Sequence, residues 1–115
     1  MKRQIIFAAA LLMAGCGGNP DVACNIVQKS AGTTVHLCEE LDNLDPSQIT
    51  AGQQLCSDQK GALVNACSTD GIIGMCTTSS QNGATGTVYI FPDGGVTASI
   101  AEHACQQSNG TWTPR

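Results

Sequence analysis

Seven cysteines and two histidines are the residues whose chemistry is easiest to name in this chain. Thiolates and imidazoles hold zinc when they come in closely spaced pairs. Here there is no C-x-x-C, the closest pair among the six cysteines after Cys16 is Cys67 and Cys76, and His36 and His103 lie in different halves. No zinc ligand set follows. Serines and threonines are abundant, but none sits in a G-x-S-x-G context that would mark a nucleophile. His103 follows Glu102 on a short helical stretch and is expected to face solvent. His36 falls on a strand face, where histidine packs or meets water. Glu39, Glu40, Asp42 and Asp45 could offer oxygens to calcium, yet their spacing is not that of an EF-hand loop. Carboxylates ahead of a helix N-terminus are expected from its dipole. The sequence therefore nominates no catalytic residue and no metal ligand. The chemistry left to the cysteines is cross-linking and S-alkylation.

Cys16 stands apart from the other six. Before it come Lys2-Arg3 and then an apolar run of about ten residues, Ile5 to Ala14. A bilayer-spanning helix needs roughly 20 residues, so this is the pattern of a cleaved export signal rather than a span. Leu12-Met13-Ala14-Gly15-Cys16 resembles the lipobox of bacterial lipoproteins, usually Leu, Ala or Ser, Gly or Ala, then Cys. Ala14, Gly15 and Cys16 match, and Met13 stands where Leu is usual. The resemblance implies that Cys16 takes a diacylglyceryl group, that the Gly15–Cys16 bond is cut, and that the new amine is acylated, palmitate being a typical chain. Two or three acyl chains make such an anchor lasting, where one holds only marginally. Gly17, in place of Asp, implies the outer membrane if the source is Gram-negative. No cofactor is expected beyond this covalent lipid.

Removal of residues 1–15 also removes Lys2 and Arg3. Lys29, Lys60 and Arg115 then face nine carboxylates, leaving a net charge of −6. An acidic chain without a basic patch is a poor partner for nucleic acid. It is equally poor at lying on anionic headgroups by charge, so membrane contact is expected through the lipid alone. Past the leader, Tyr89, Phe91 and Trp112 are the only Phe, Tyr or Trp residues. A core of small aliphatics must offset roughly 1–2 kcal/mol of ordering cost per residue. Six cysteines in an exported chain answer that need, at about 2–4 kcal/mol per disulfide.

Residues 16–23, with Gly17-Gly18-Asn19-Pro20, form a polar tether, and 24–115 form one Cys-rich domain. Cys24 to Glu40 predicts a β-hairpin turning over Lys29-Ser30-Ala31-Gly32, with Val35 and Leu37 on one face and His36 and Cys38 on the other. Asp45-Pro46-Ser47-Gln48 is an N-cap with Pro at the first helical position and a capping-box partner. It starts a helix expected to run to about Gln59, with Ile49, Gly52 and Cys56 on one stripe and Gly61 as its stop. A strand over Ala62–Ala66 and a return over Ile72–Cys76 are expected to flank the turn Ser68-Thr69-Asp70-Gly71. Asn82-Gly83 then turns a further hairpin between Cys76–Ser80 and Thr87–Phe91. A helix is expected from about Ala98 to Gln107, with Ser99 and Glu102 at capping-box spacing. Asn109-Gly110 reads as a turn.

The halves 24–66 and 76–115 can be laid on each other. Cys24 falls on Cys76, Thr34-Val35 on Thr87-Val88, Leu37 on Ile90, Cys56 on Cys105, Gly61 on Gly110 and Leu63 on Trp112. Two origins fit: a duplication, or two hairpin-plus-helix units alike by composition. Six cysteines allow 15 pairings. The symmetric framework joins Cys24–Cys56 and Cys76–Cys105, leaving Cys38 for Cys67. Its rival joins Cys24–Cys38 and Cys67–Cys76.

The expected fold is α+β: a small disulfide-stapled domain, an antiparallel sheet with two short helices on one face. In cysteine spacing the mature part is similar to small uncharacterised Cys-rich lipoproteins, a resemblance that implies no activity. The expected role is a membrane-anchored, non-enzymatic module that binds an envelope or surface protein or serves envelope structure. The alternative is a small secreted hydrolase or an enzyme inhibitor.

Overall fold

The computed structural model describes residues 19–30 and 32–115. The leader and Cys16 lie outside the described residues. The elements run β1 (Val22–Ser30), β2 (Thr33–Asp42), α1 (Pro46–Asp58), β3 (Ala62–Leu63), β4 (Gly74–Ser79), β5 (Thr85–Ile90), a 3₁₀ turn (Asp93–Gly95), α2 (Ala98–Gln107) and β6 (Thr111–Pro114). The six strands form one antiparallel sheet in the order β3-β1-β2-β5-β4-β6.

Register decides which side chains share a face. Residues directly opposite one another project to the same side of a sheet. One such row crosses all six strands as Leu63, Cys24, Glu39, Val88, Cys76 and Trp112. Cys24 and Cys76 therefore point the same way, and each is bonded to a helix, Cys24 to Cys56 of α1 and Cys76 to Cys105 of α2. Both helices consequently lie on one face. α1 packs over β1 and β3, and α2 over β4 and β6. The buried cluster under α1 is Cys24, Ile26 and Cys56, with Leu37 against it.

The third bond joins Cys38 to Cys67. Cys38 belongs to the next row, with Ala62, Asn25, Tyr89, Met75 and Thr113, and so projects from the face opposite the helices. The bonds are those of the symmetric framework and not of its rival.

Helix α1 starts as its sequence dictates. The Asp45 carboxylate accepts from the Gln48 backbone N–H at 2.9 Å, and the Gln48 side chain accepts from the Asp45 N–H at 2.9 Å. The Ser47 hydroxyl adds a bond to the same carboxylate, and chiefly for that reason the Asp45 carboxyl sits below its ordinary value. Helix α2 departs from expectation. Its N-cap is Thr97, whose hydroxyl accepts from the Ile100 N–H at 3.2 Å. Ser99 already lies inside the first turn and cannot cap it.

The helix ends also differ from the expected glycine stop. The left-handed residues are Lys60 (φ 60°) and Asn109 (φ 59°), and the glycine follows one place later. Gly61 and Gly110 donate their N–H to Cys56 and Cys105 carbonyls at 2.8 and 2.9 Å. Their lack of a side chain serves packing. A Cβ on Gly61 would overlap Cys24 Sγ, and one on Gly110 would lie 2.5 Å from Cys76 Sγ. The disulfide claims the glycine, and the left-handed turn falls on its neighbour.

Two further expectations need correction. Residues 62–66 and 72–76 do not form a hairpin. Ala62–Leu63 pair with β1, and Val64 donates to the Ala23 carbonyl at 3.0 Å. The returning strand begins at Gly74 between β5 and β6, with three strands between it and β3 across the sheet. Between them the chain crosses the face opposite the helices, fastened by Cys67. The second correction concerns the repeat register. Glu39 stands opposite Cys24, and Val88 opposite Cys76, so these two correspond, and Leu41 corresponds to Ile90. This is four positions from the sequence alignment, where the shared Thr-Val pair had set the match. Glu39 and Val88 also face each other across the β2–β5 junction. The three-strand orders β3-β1-β2 and β6-β4-β5 are thus related by a two-fold rotation through that pair.

Candidate functional site

The helix-free face carries a cluster of polar side chains assembled by the strands. Period-two alternation places Asn25 of β1, His36, Cys38 and Glu40 of β2, and Tyr89 of β5 on this side, with Phe91 just beyond β5. His36 is held from three directions. Its Nε2–H donates to Asn25 Oδ1 at 2.9 Å. Its ring stacks on Phe91 with centroids 3.9 Å apart and planes within 4°. Its Nδ1 lies 4.0 Å from an Asp93 carboxylate oxygen. The Phe91 N–H also donates to the His36 carbonyl at 3.3 Å, fixing the two rings to one stretch of backbone.

Glu40 anchors the crossing loop. One carboxylate oxygen accepts from the Cys67 N–H at 2.7 Å, the other from the Tyr89 hydroxyl at 2.9 Å. Burial of Tyr89, then the bond to Glu40 and the negative charges of Glu40 and Asp42, push the phenol up to about 12. With the Cys38–Cys67 bond, these contacts hold residues 64–70 above the sheet. Between loop and sheet lies a pocket of about 300 Å³, lined by Asn25, His36, Cys38 and Phe91 below and by Val64, Ala66, Ser68 and Asp70 above.

The residues that could do chemistry are distributed unequally around this pocket. His36 lines it; His103 sits exposed on α2, on the opposite side of the sheet. Glu39 and Glu40 project to opposite faces, and Asp45 caps α1, so the acidic group does not converge. Among the described residues no three His, Cys, Asp or Glu side chains gather to hold a metal. Ser68 shares the pocket with His36, but its Oγ accepts the Asp70 N–H at 3.1 Å and His36 Nε2 is committed to Asn25. Neither atom is set toward the other as nucleophile and base.

Asn25, Phe91 and the loop 64–70 enter the site without having been singled out in the sequence, and Glu40, considered there only as a calcium ligand, enters as the loop's anchor. Alternation along β1 and β2 was the available signal, since it puts Asn25, His36, Cys38 and Glu40 on one face. Nothing local told that the segment around Cys67 would cover them. No helix among the described residues is long and apolar enough to cross a membrane. The chain has no match among family models, curated proteins or solved structures.

Proposed function

We propose that this chain is an exported bacterial lipoprotein, cut before Cys16 and held in the envelope by lipid on that residue, whose domain is a non-enzymatic binding module. The observation that carries the anchor is cysteine partition. All six cysteines of the domain are engaged in bonds within it. The seventh is the one at the lipobox, and it has no partner left inside the domain. An oxidising, extracytoplasmic setting is where such bonds persist. Gly17 favours the outer membrane in a Gram-negative cell.

Binding is supported by rigidity around a pre-formed concavity, which is how small-molecule sites are usually built. The pocket walls are fixed by a disulfide, a stacked ring pair and a doubly engaged carboxylate, not by mobile side chains. The like order of the two ββαβ units, each with a strand-to-helix disulfide and a glycine beneath it, supports a duplication as their origin.

Mass spectrometry of the protein extracted from membranes under non-reducing conditions tests the anchor. The expected product begins at acylated Cys16 and contains no free thiol. A chain that begins at unmodified Met1 with reduced cysteines would overturn it.

A further inference from the structure

We propose that the pocket between the crossing loop and the helix-free face binds a small primary amine with an apolar body, its ammonium directed to Asp70. This rests on the reading of that face as the binding surface and adds the chemical class of its ligand.

Size comes first. At about 300 Å³ the pocket lies at the lower end of small-molecule sites, which suits a single ring or a short chain. The walls set the body of the ligand. Val64, Ala66, the Cys38 sulfur and the Phe91 ring offer apolar surface. The charge sets its head. Asp70 is the one carboxylate that lines the pocket, while Asp93 lies outside the lining, 4.0 Å from His36 Nδ1. The neutral polar groups are the Asn25 amide and the Ser68 hydroxyl.

Two cationic side chains are placed where they could compete. Arg115 donates to the Thr69 carbonyl and does not line the pocket. Lys29 shares the face but lies four residues along β1 from Asn25, toward the hairpin tip. A net charge of −6 on the mature chain draws cations toward the whole surface and repels carboxylate ligands. An amine gains from both walls and charge; a neutral analogue gains from walls alone, and an anion loses on charge.

The test uses the mature disulfide-bonded protein in detergent micelles. Benzylamine, benzyl alcohol and benzoate are titrated while the ring resonances of His36 and Phe91 are followed by NMR. Saturable shifts of both rings are expected with benzylamine. Affinity for it should exceed that for benzyl alcohol about tenfold or more and fall at least severalfold in Asp70→Asn. Benzoate should give no saturable shift. Equal binding of amine and alcohol, unaffected by Asp70→Asn, would leave a pocket that binds but overturn the ligand class. Shifts by none of the three probes, with the spectrum otherwise native, would overturn the pocket as a ligand site and this inference with it, leaving the lipid anchor untouched.

Discussion

Tyr89 and Lys60 are the two residues whose settings depart most from what their side chains would choose alone. Tyr89 is the chain's one tyrosine, so its ionisation can be followed directly by ultraviolet absorbance. Its value of about 12 in the folded protein stands above the ordinary 10.0. A raised value means that the neutral phenol is favoured by folding. Its contribution to stability is full below the unfolded value and is lost as pH climbs from there through the folded one. The native protein should show a tyrosinate midpoint well above that of the protein in denaturant. Glu40→Gln should lower the native midpoint, but only part of the way, because burial is the larger cause. Coincident native and denatured midpoints would contradict the Tyr89–Glu40 contact.

Lys60 holds φ 60°, a region that costs a non-glycine residue roughly 1–2 kcal/mol. Lys60→Gly should therefore stabilise the protein by up to about 1 kcal/mol, since part of the gain is lost to the freer unfolded chain. Gly61→Ala, one position on, should do the opposite. Its methyl group has nowhere to go but into the Cys24–Cys56 sulfurs, and overpacking of this kind costs about 1–3 kcal/mol or more. Urea unfolding of the two variants checks both signs. A stabilising Gly61→Ala would mean that the helix end is not seated on the disulfide.

Among the elements, the three disulfides close loops of similar length, with sequence separations of 32, 29 and 29. Loop-closure entropy therefore ranks them nearly alike, at about 3–4 kcal/mol each. What each holds is different. Cys24–Cys56 and Cys76–Cys105 dock helices, with all four cysteines buried. Cys38–Cys67 clasps a loop, and Cys67 is the one cysteine of the six only partly buried. Cys38→Ser with Cys67→Ser should keep far-ultraviolet circular dichroism near native, since no helix or long strand hangs on that bond. Hydrogen exchange should rise selectively at residues 64–70, and the His36 environment should change as the pocket opens. Cys24→Ser with Cys56→Ser should instead loosen α1. Global unfolding in the first variant would show that the clasp supports the sheet itself and not only its cover.

At the scale of the whole molecule, the parts legible in the sequence are those whose causes are local. The capping box at Asp45 and Gln48 needs only four consecutive residues, and the structure forms it in full. Hairpin alternation around His36 and Cys38 needs only a strand and its turn. The destination of Ala62–Leu63 was not legible, because two residues of strand carry no mark of which neighbour they join. The Cys38–Cys67 bond and the Glu40 carboxylate, both distant in sequence, help bring the following loop across the sheet. The repeat register failed for a related reason. A shared Thr-Val pair outweighed strand pairing in a one-dimensional alignment, while in the sheet the position opposite each half's first cysteine sets the correspondence. Phe91 entered the site through stacking on His36, a contact between residues 55 positions apart, and no spacing rule reaches that far.

The proposed lipid anchor belongs to the same scale. With a net charge of −6 after Cys16, the domain is repelled by an anionic leaflet, and basic clusters of the kind that recognise such lipids are missing from the sequence. On the proposed reading an acylated N-terminus supplies the whole attachment, at about 0.8 kcal/mol for each buried CH₂. Cys16→Ser should abolish lipidation and leave the domain free of membranes. Its disulfides should remain intact, because Cys16 takes no part in them. In flotation assays the unlipidated protein should stay at the bottom of the gradient with vesicles rich in phosphatidylglycerol, at low as well as high salt. Flotation at low salt alone would reveal an electrostatic membrane surface that the distribution of Lys29, Lys60 and Arg115 does not provide. Flotation at both would place a second, apolar anchor on the domain itself.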